Sequence, residues 1–375
     1  MAIHLNTAGA GLPAPAVPGT VARFAALEAE LGPYEAEAVH ADDLDRRVYD
    51  LLALLVGARP DEIALFGSAT DAWCRIVCGL TPPRGSRIWV TPYEYAGNLI
   101  ALQRLAARHE CVVEVVPASP SGDLDLDWMR RNLDDRVAVV SLVHMPSSAG
   151  VVQPVEEVGA LLAGSSAVYV VDACQTVGQL PVDVRAIGCH VLTGAGRKFL
   201  RGPRGTGFAF VARELWDRVA PPFHDVHVAE VRSLHHYEVT ADRAARFETA
   251  ERSSAAVLGL VAALEHNAVT PAGAAPEVFA ALADAVATTP GTRVLAPGAR
   301  RAGIVSFVHE RCSPERVRDV LAGEGVTGWV GFGAHTPLYL ASSGIDRFVR
   351  LSVHHYNDLA QVDVLRGALS RAVNG

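Results

Sequence analysis

Two runs, VAVVSLV at residues 137–143 and VYVVD at 168–172, constrain this chain more than any other feature. A strand with one wet face alternates apolar and polar residues, whereas these runs are apolar on both faces. Such strands belong in a parallel sheet that helices cover on each side. The surrounding sequence has the rhythm this sheet needs. RIWVTP precedes a helical stretch near 96–108, CVVEVVPA one near 124–133, and VAVVSLVHM one near 154–163, before VYVVDA closes the series. Upstream, residues 16–31 and 43–57 have helical spacing, and IALFGSATDAW reads as strand, loop and helix; HVLTGAG and RGTGFAFVA extend the sheet. The polar residue ending each run then lies at a strand carboxyl end, where open parallel sheets bind ligands.

Beyond about residue 255 the pattern changes. A long Ala-rich helical region gives way to TRVLAP, GIVSFVH, the helix SPERVRDVLAGEG, VTGWVGF, FVRLSVHHY and a closing helix from Asp358. The expectation is a larger α/β domain over 21–255 and a smaller α+β domain over 256–375. A chain of 375 residues, half of them hydrophobic, has apolar surface enough for both.

Several functions are disfavoured. A net charge of −8 with scattered Lys and Arg gives no basic stripe for a nucleic-acid backbone. No basic segment leading into an apolar one opens the chain, and no run approaches the roughly 20 apolar residues of a membrane span, so the expected location is cytoplasmic. The six cysteines form no paired CxxC pattern and read as reduced and buried. HDVH at 224–227 and the His pairs at 235–236 and 354–355 make no zinc pattern with them, and no metal is expected.

Two charges beside apparent core carry the chemistry. Asp172 ends the run VYVV, and a buried carboxylate costs several kcal/mol unless it meets a positive partner. Lys198 sits among Gly194, Gly196 and the segment GPRGTG, where backbone can approach a ligand closely. Lysine forms an imine with an aldehyde, and an aspartate that keeps a pyridinium nitrogen protonated completes the pair that pyridoxal 5'-phosphate requires. Taken alone, the two residues are equally compatible with a helix cap before Ala173 and a surface lysine. Two loops add to the case. In GSATDAW, Ser68, Ala69 and Thr70 stand between strand and helix, as a phosphate site or a plain N-cap. Tyr95, in YEYAGN, could stack on a flat heteroaromatic ring or belong to the core.

The order GSAT, EY, DACQ and GRKFLRGPRGTG resembles the class V branch of fold-type I pyridoxal-phosphate enzymes, with its cysteine desulfurases, kynureninases and isopenicillin N epimerase-like proteins. The likeness runs from LNTAGAGL to RFETAE and VRLSVHHYN. It implies an α/β fold with a mostly parallel central sheet flanked by helices and a smaller C-terminal α+β domain. It also implies roles: Lys198 as the imine lysine, Asp172 on the pyridinium nitrogen, Gln175 on the phenolic oxygen, and Tyr95 stacked where desulfurases use histidine. Ala69, Thr70 and Arg197 would hold the phosphate. The serine and histidine that desulfurases carry just before this lysine are Ala195 and Arg197 here, so a guanidinium replaces both donors. Arg350 matches the arginine that grips the substrate α-carboxylate, and residues 1–20, with Asn6, Ala8 and Gly9, match a segment that folds over the substrate. RFETAE, near Thr249, resembles the segment reaching the neighbouring subunit's phosphate, which implies a homodimer with shared active sites. The usual Gly-Thr there reads Ala250-Glu251, so no phosphate contact is assigned to it.

Residues 328–348, GWVGFGAHTPLYLASSGIDRF, contain no cysteine, and Cys312 lies well before them. The expectation is therefore that the chain is not a cysteine desulfurase. LNTAGAGL, GPYEAEA and GRKFLRGPRGTG are most similar to the group containing hercynylcysteine sulfoxide lyase and isopenicillin N epimerase-like enzymes. That likeness implies a C–S β-lyase on an S-substituted cysteine or its sulfoxide in bacterial secondary metabolism, with an epimerase or aminotransferase as the alternative. An epimerase needs a second acid/base, for which Tyr95, His335, His354 and His355 are the candidates.

Overall fold

The two apolar runs lie side by side at the centre of a seven-stranded sheet. Across it the order is Ile63–Phe66, Gly207–Val211, Val191–Ala195, Val168–Asp172, Val137–Val143, Arg87–Val90 and Val112–Val115. Gly207–Val211 runs antiparallel to both neighbours, and the rest are parallel to one another. The computed structural model describes residues 2–270 and 272–374.

Helices bury both sheet faces. On one, Trp73 and Ile76 of the helix Ala69–Val77 and Leu102 and Leu105 of Ala96–His109 share a core with Val139, Val170 and Val191. On the other, Ser254–Val269 packs on Val17–Leu31 and Val48–Val56, its Leu260 in one core with Trp89, Leu142 and Val171. Ser253 caps that helix, its hydroxyl accepting from the Ala256 N–H at 3.3 Å. Leu260 is wholly buried, so its truncation to Ala would cost about 2–5 kcal/mol.

The smaller layer is an antiparallel sheet in the order Thr292–Val294, Ile304–His309, Arg347–Ser352, Trp329–Phe332. Its core joins these strands to the helices Pro276–Ala287, Pro314–Gly323 and Leu359–Asn374. The expected division at 255/256 falls just inside a helix, Ser254–Val269, that is built into the large core; the small core takes in Leu5 from the chain start and, after this helix, residues from Ala274 onward. An Ala-rich helix buried nearly all round carries no apolar stripe to say which core it serves. The chain start belongs to both layers: Ile3–His4 pairs with Val326–Thr327, Asn6 bridges to Ser352, and residues 8–14 cross back to the large sheet.

The hairpin Ala229–Ser233/His236–Val239 was not foreseen. Its strands are exposed, with Val231 and Leu234 open to solvent, so no buried face imposes a period on the sequence. No helix of the described residues is long and apolar enough to cross a membrane.

Candidate active site

Asp172 is the last residue of its strand, paired with Val143 on one side and Thr193 on the other, which sets its carboxylate at the carboxyl edge of the sheet. Its Oδ1 accepts from the Cys174 N–H at 2.9 Å and its Oδ2 from the Asn98 amide at 2.9 Å. It caps no helix, since 174–179 are turns. Among the described residues no lysine or arginine forms a close ion pair with it, and Lys198, which lines the same cavity, is a cation it acts on.

Lys198 enters from the adjacent strand end, on a turn closed by Gly196 N–H to Thr206 O at 3.1 Å and Gly202 N–H to Gly196 O at 2.8 Å. The turn packs so closely that a Cβ on Gly196 would lie 2.1 Å from the Thr206 hydroxyl. Burial lowers the Lys198 pKa; Cys174 and Asp172 oppose the shift, and Arg197 and Arg350 add to it. A lysine held this way is closer to the neutral amine that nucleophilic and base chemistry needs.

Lys198, Asp172, Asn98 and Cys174 line one cavity together with Tyr95 and the loop Ser68–Thr70. Ser68 caps the helix Ala69–Val77, its hydroxyl accepting from the Asp71 N–H at 3.0 Å, so both readings of GSAT describe the same geometry. The cap leaves the next N–H groups and the positive helix end toward the cavity. Gly207 braces the loop: a Cβ there would meet Ser68 C at 2.3 Å and Ala69 N at 2.4 Å. Tyr95 lies on the cavity wall, 38% exposed, with the His335 ring 6.3 Å away. A second compartment shares Tyr95, Asp172, Cys174 and Lys198 and adds Gln175, Ser147 and Thr336.

Arg350 is 7% exposed, inside the strand Arg347–Ser352, and is no surface arginine. It donates to the Ser147 carbonyl at 3.2 Å and the Asn6 Oδ1 at 3.0 Å, while its Nε has no partner among the described residues. Burial, and then the charge of Arg197, lowers its pKa to about 10. With no described carboxylate opposite it, this guanidinium calls for an anionic ligand.

Residues 6–14 form a strap over these groups. Gln175 donates to the Ala8 carbonyl at 3.1 Å and keeps an unpartnered Oε1, Ala8 N–H donates to the Ser352 hydroxyl at 2.9 Å, and Arg197 donates to the Gly9 carbonyl. Arg197 thus lines the cavity while its guanidinium is engaged by the strap. Arg201, at the left-handed φ of 62°, ties down the next stretch through Leu12 O at 2.8 Å and Pro13 O at 3.0 Å. Thr249 does not line that cavity but a neighbouring groove, with Gly205 and Gly207.

The other candidate residues have structural partners. His354 is fully buried and donates to Phe199 O at 2.8 Å, and His355 accepts from Arg201 at 2.7 Å. Cys312 is in the small core with its thiol 3.4 Å from Ala372 O. The sequence reading missed Asn98, Cys174 and Ser147 as site residues. Asn98 is within YEYAGN, but its contact with Asp172 spans 74 positions and has no local signature.

The class-V aminotransferase family model matches residues 37–365, and the chain belongs to that family. A probable cysteine desulfurase of Pyrococcus abyssi is 29% identical over 332 residues, covering 86% of this chain and 82% of the relative. Another, of Mycobacterium leprae, is 29% identical over 341 residues, covering 86% and 79%. Among solved structures, the cysteine desulfurase CsdA of Escherichia coli superposes with a TM-score of 0.89 at 22% identity, covering 99% of this chain and 94% of that one. The cystine C–S lyase C-DES, in complex with its product cysteine persulfide, gives 0.84 at 20% identity, covering 98% and 97%. The fold is that of the fold-type I enzymes, and the chain is a class V enzyme dependent on pyridoxal 5'-phosphate.

The residues present fit that cofactor. The helix end at Ser68–Thr70 suits its phosphate, the buried Asp172, with no close ion pair among the described residues, its protonated ring nitrogen, Lys198 its aldehyde, and the orphaned Gln175 Oε1 marks a polar position left for a ligand. One expectation is overturned. The missing loop cysteine was read as excluding the desulfurases, yet proteins of that name match over most of the chain, and these relatives are named for neither the epimerase nor the aminotransferase activity of the alternative. The physical reason is that the thiol which takes the sulfur as the C–S bond breaks need not belong to this chain, so a loop without cysteine does not by itself exclude the class.

Proposed function

We propose that the enzyme cleaves the C–S bond of cysteine, as a C–S lyase of the cysteine desulfurase type. The observation that carries this reading is the match to proteins named cysteine desulfurases over 86% of the chain, joined to a site whose Lys198, Asp172 and Arg350 suit an α-amino acid. Bound pyridoxal phosphate supplies an electron sink conjugated to the substrate α-carbon. Lys198 Nζ, its proton affinity reduced by burial, takes the α-proton and returns it. Asp172 holds positive charge on the ring nitrogen, and its oxygens are fixed by Asn98 and the Cys174 N–H. Arg350 takes the α-carboxylate in place of its present neutral acceptors. Tyr95 and the strap restrict water at the reacting carbon.

Two balanced outcomes are open to such a site. Cysteine and a thiol give alanine and a persulfide, or cysteine and water give pyruvate, ammonia and sulfide. The working unit in this reading is a cytoplasmic homodimer, and the exposed Val231 and Leu234 of the hairpin are apolar surface that a second copy would cover. The test is incubation of the holoenzyme with L-cysteine and dithiothreitol, with sulfide, alanine and pyruvate all measured. Sulfide with either carbon product supports the reading. Release of no sulfide from L-cysteine, by an enzyme that shows the cofactor band near about 420 nm, overturns it.

A further inference from the structure

Behind Asp172 lies a second carboxylate that the chemistry above does not use. Glu94 follows the strand Arg87–Val90 and stands just ahead of the helix Ala96–His109; its side chain is wholly buried. Its Oε1 accepts from the Tyr95 N–H at 3.1 Å and the Asn98 amide at 3.0 Å, and its Oε2 accepts from the Ser141 hydroxyl. Both carboxylate oxygens are satisfied, as a buried acid requires. The partner that matters is Asn98. One hydrogen of its Nδ2 goes to Glu94, and the same nitrogen donates to Asp172 Oδ2 at 2.9 Å. The spacing of four residues puts Glu94 and Asn98 on the same side of the chain where the helix begins.

A helix start does not need this arrangement, because a carboxylate there can be satisfied by backbone N–H groups and water at the surface. Here the acid is enclosed, and the amide is clamped between two carboxylates. The clamp has two consequences. Asn98 cannot turn without giving up a buried hydrogen bond at both ends, so the plane of the Asp172 carboxylate is fixed. A second site of negative charge also lies one amide behind the first, in low-dielectric surroundings where it acts over distance. Ser141, one strand over, holds Glu94 from the far side, so the row Ser141, Glu94, Asn98, Asp172 crosses three adjacent elements.

We propose that Glu94 is a positioning residue for the cofactor's ring nitrogen, acting through Asn98 to orient Asp172 and to supply negative charge behind it. Glu94 lines neither compartment of the cavity. The charged group facing it is Asp172, and the others around it, Ser141, Asn98 and the Tyr95 N–H, are neutral. Burial first, and Asp172 in addition, raise the Glu94 pKa to about 7, while Ser141 and Asn98 oppose the rise. A positive ring nitrogen against Asp172 favours the ionised form of Glu94, so cofactor protonation and Glu94 ionisation support each other.

The test is the spectroscopic pH titration of the holoenzyme's lysine–cofactor band, run beside a thermal melt for Glu94→Gln, Asn98→Ala and the double variant. Glutamine keeps the shape and the acceptor for Asn98 but cannot carry the charge. Glu94→Gln is expected to move the titration midpoint to lower pH by about one unit and to reduce kcat more than KM. In Asn98→Ala the charge of Glu94 remains, so adding Glu94→Gln is expected to lower the midpoint further, but by less than in the parent because the link through the amide is gone. An unchanged midpoint in Glu94→Gln overturns the proposal, as does a double variant in which Glu94→Gln keeps its full single-variant shift. Should Glu94→Gln fail to fold, Ser141→Ala removes a donor that favours the ionised acid, and a smaller shift in the same direction is expected; no shift there overturns it equally. The proposal concerns cofactor protonation, so it stands or falls whatever substrate the enzyme takes.

Discussion

Replacing Arg350 with methionine tests the substrate site and the cost of keeping it. Arg350 is a 7% exposed cation without an anionic partner among the described residues. Its pKa is lowered to about 10, and at about 1.4 kcal/mol per unit the departure from a free guanidinium corresponds to roughly 3 kcal/mol against the charged, folded form. Methionine has a similar reach and no charge, so it recovers that cost. It also gives up hydrogen bonds to Ser147 O and Asn6 Oδ1, at about 1 kcal/mol each. The net expectation is a variant about 1 kcal/mol more stable, melting about 2 °C higher without substrate. Binding moves the other way. A carboxylate that loses two charge-assisted hydrogen bonds forfeits about 3–5 kcal/mol, or roughly 10²–10⁴ in affinity. Titrating the holoenzyme with glycine and following the cofactor spectrum reads this directly. If Arg350→Met binds glycine as tightly as the parent, the arginine does not hold the carboxylate. A melt several degrees lower with an intact cofactor spectrum refutes the burial argument.

Four further outcomes are expected. Lys198→Ala should stay folded but lose the imine band near about 420 nm and all turnover, read by absorbance and by sulfide release. Gly207→Ala should drive the loop Ser68–Ala69 out of place and weaken cofactor binding at least about tenfold, measured by fluorescence titration of the apoenzyme, because its Cβ would sit 2.4 Å or less from loop backbone. Acid should destabilise the fold. His144, His354 and His355 are pulled down by burial to about 4, about 3 and about 4, so their contribution is complete above the usual 6.5 and is lost as pH falls toward those values. Glu94 and Glu248, raised by burial to about 7, contribute with the opposite sign, favouring the fold at low pH and losing that as pH rises through 7. The histidines outweigh them, so melting temperature should drop from pH 6.5 to 4.5, less steeply in His354→Gln. Iodoacetamide at pH 8 should label the exposed Cys74 first and spare Cys174, Cys189 and Cys312 in the native protein, as peptide mass mapping would show; early labelling of Cys174 would contradict its burial and raised thiol pKa.

The parts legible in the sequence were those where one residue's character conflicts with its local run. Asp172 and Lys198 stood out because a charge at the end of an apolar strand, or among glycines, needs an explanation, and the strand ends delivered both to one cavity. GSAT was legible as a helix start because a hydroxyl between strand and helix has few uses, and Ser68 does cap the helix. What was not legible was relational. Asn98 is an unremarkable polar residue near a helix start until Asp172, far away in sequence, meets its amide. The family resemblance implied a phosphate role for Arg197, and nothing local in the sequence showed that its guanidinium would also donate to Gly9, a contact 188 positions distant. The helix Ser254–Val269 misled for another reason: with apolar residues on nearly every side, it names no core in particular.

The loop without cysteine separates two questions that the sequence reading had joined. Breaking the C–S bond requires an acidified α-carbon, and the groups that bear on it are on rigid elements: Asp172 on a central strand, Lys198 on a turn locked by Gly196 and Thr206, and Arg350 inside a strand. The fate of sulfur depends instead on what stands at the mouth, and there residues 328–348 offer His335 beside Tyr95 and no thiol. Among the described residues Cys174 is the one cysteine that lines the cavity, and it lies on the Asp172 side with burial holding its thiol protonated, a poor nucleophile. In a site of this kind an outside thiol that attacks the substrate sulfur as the C–S bond breaks gives persulfide and alanine, whereas without that attack sulfur leaves as sulfide and the carbon product is pyruvate. The ratio of alanine to pyruvate should then rise with the concentration of added thiol, and a ratio indifferent to thiol would place the acceptor within the chain or remove the persulfide route altogether.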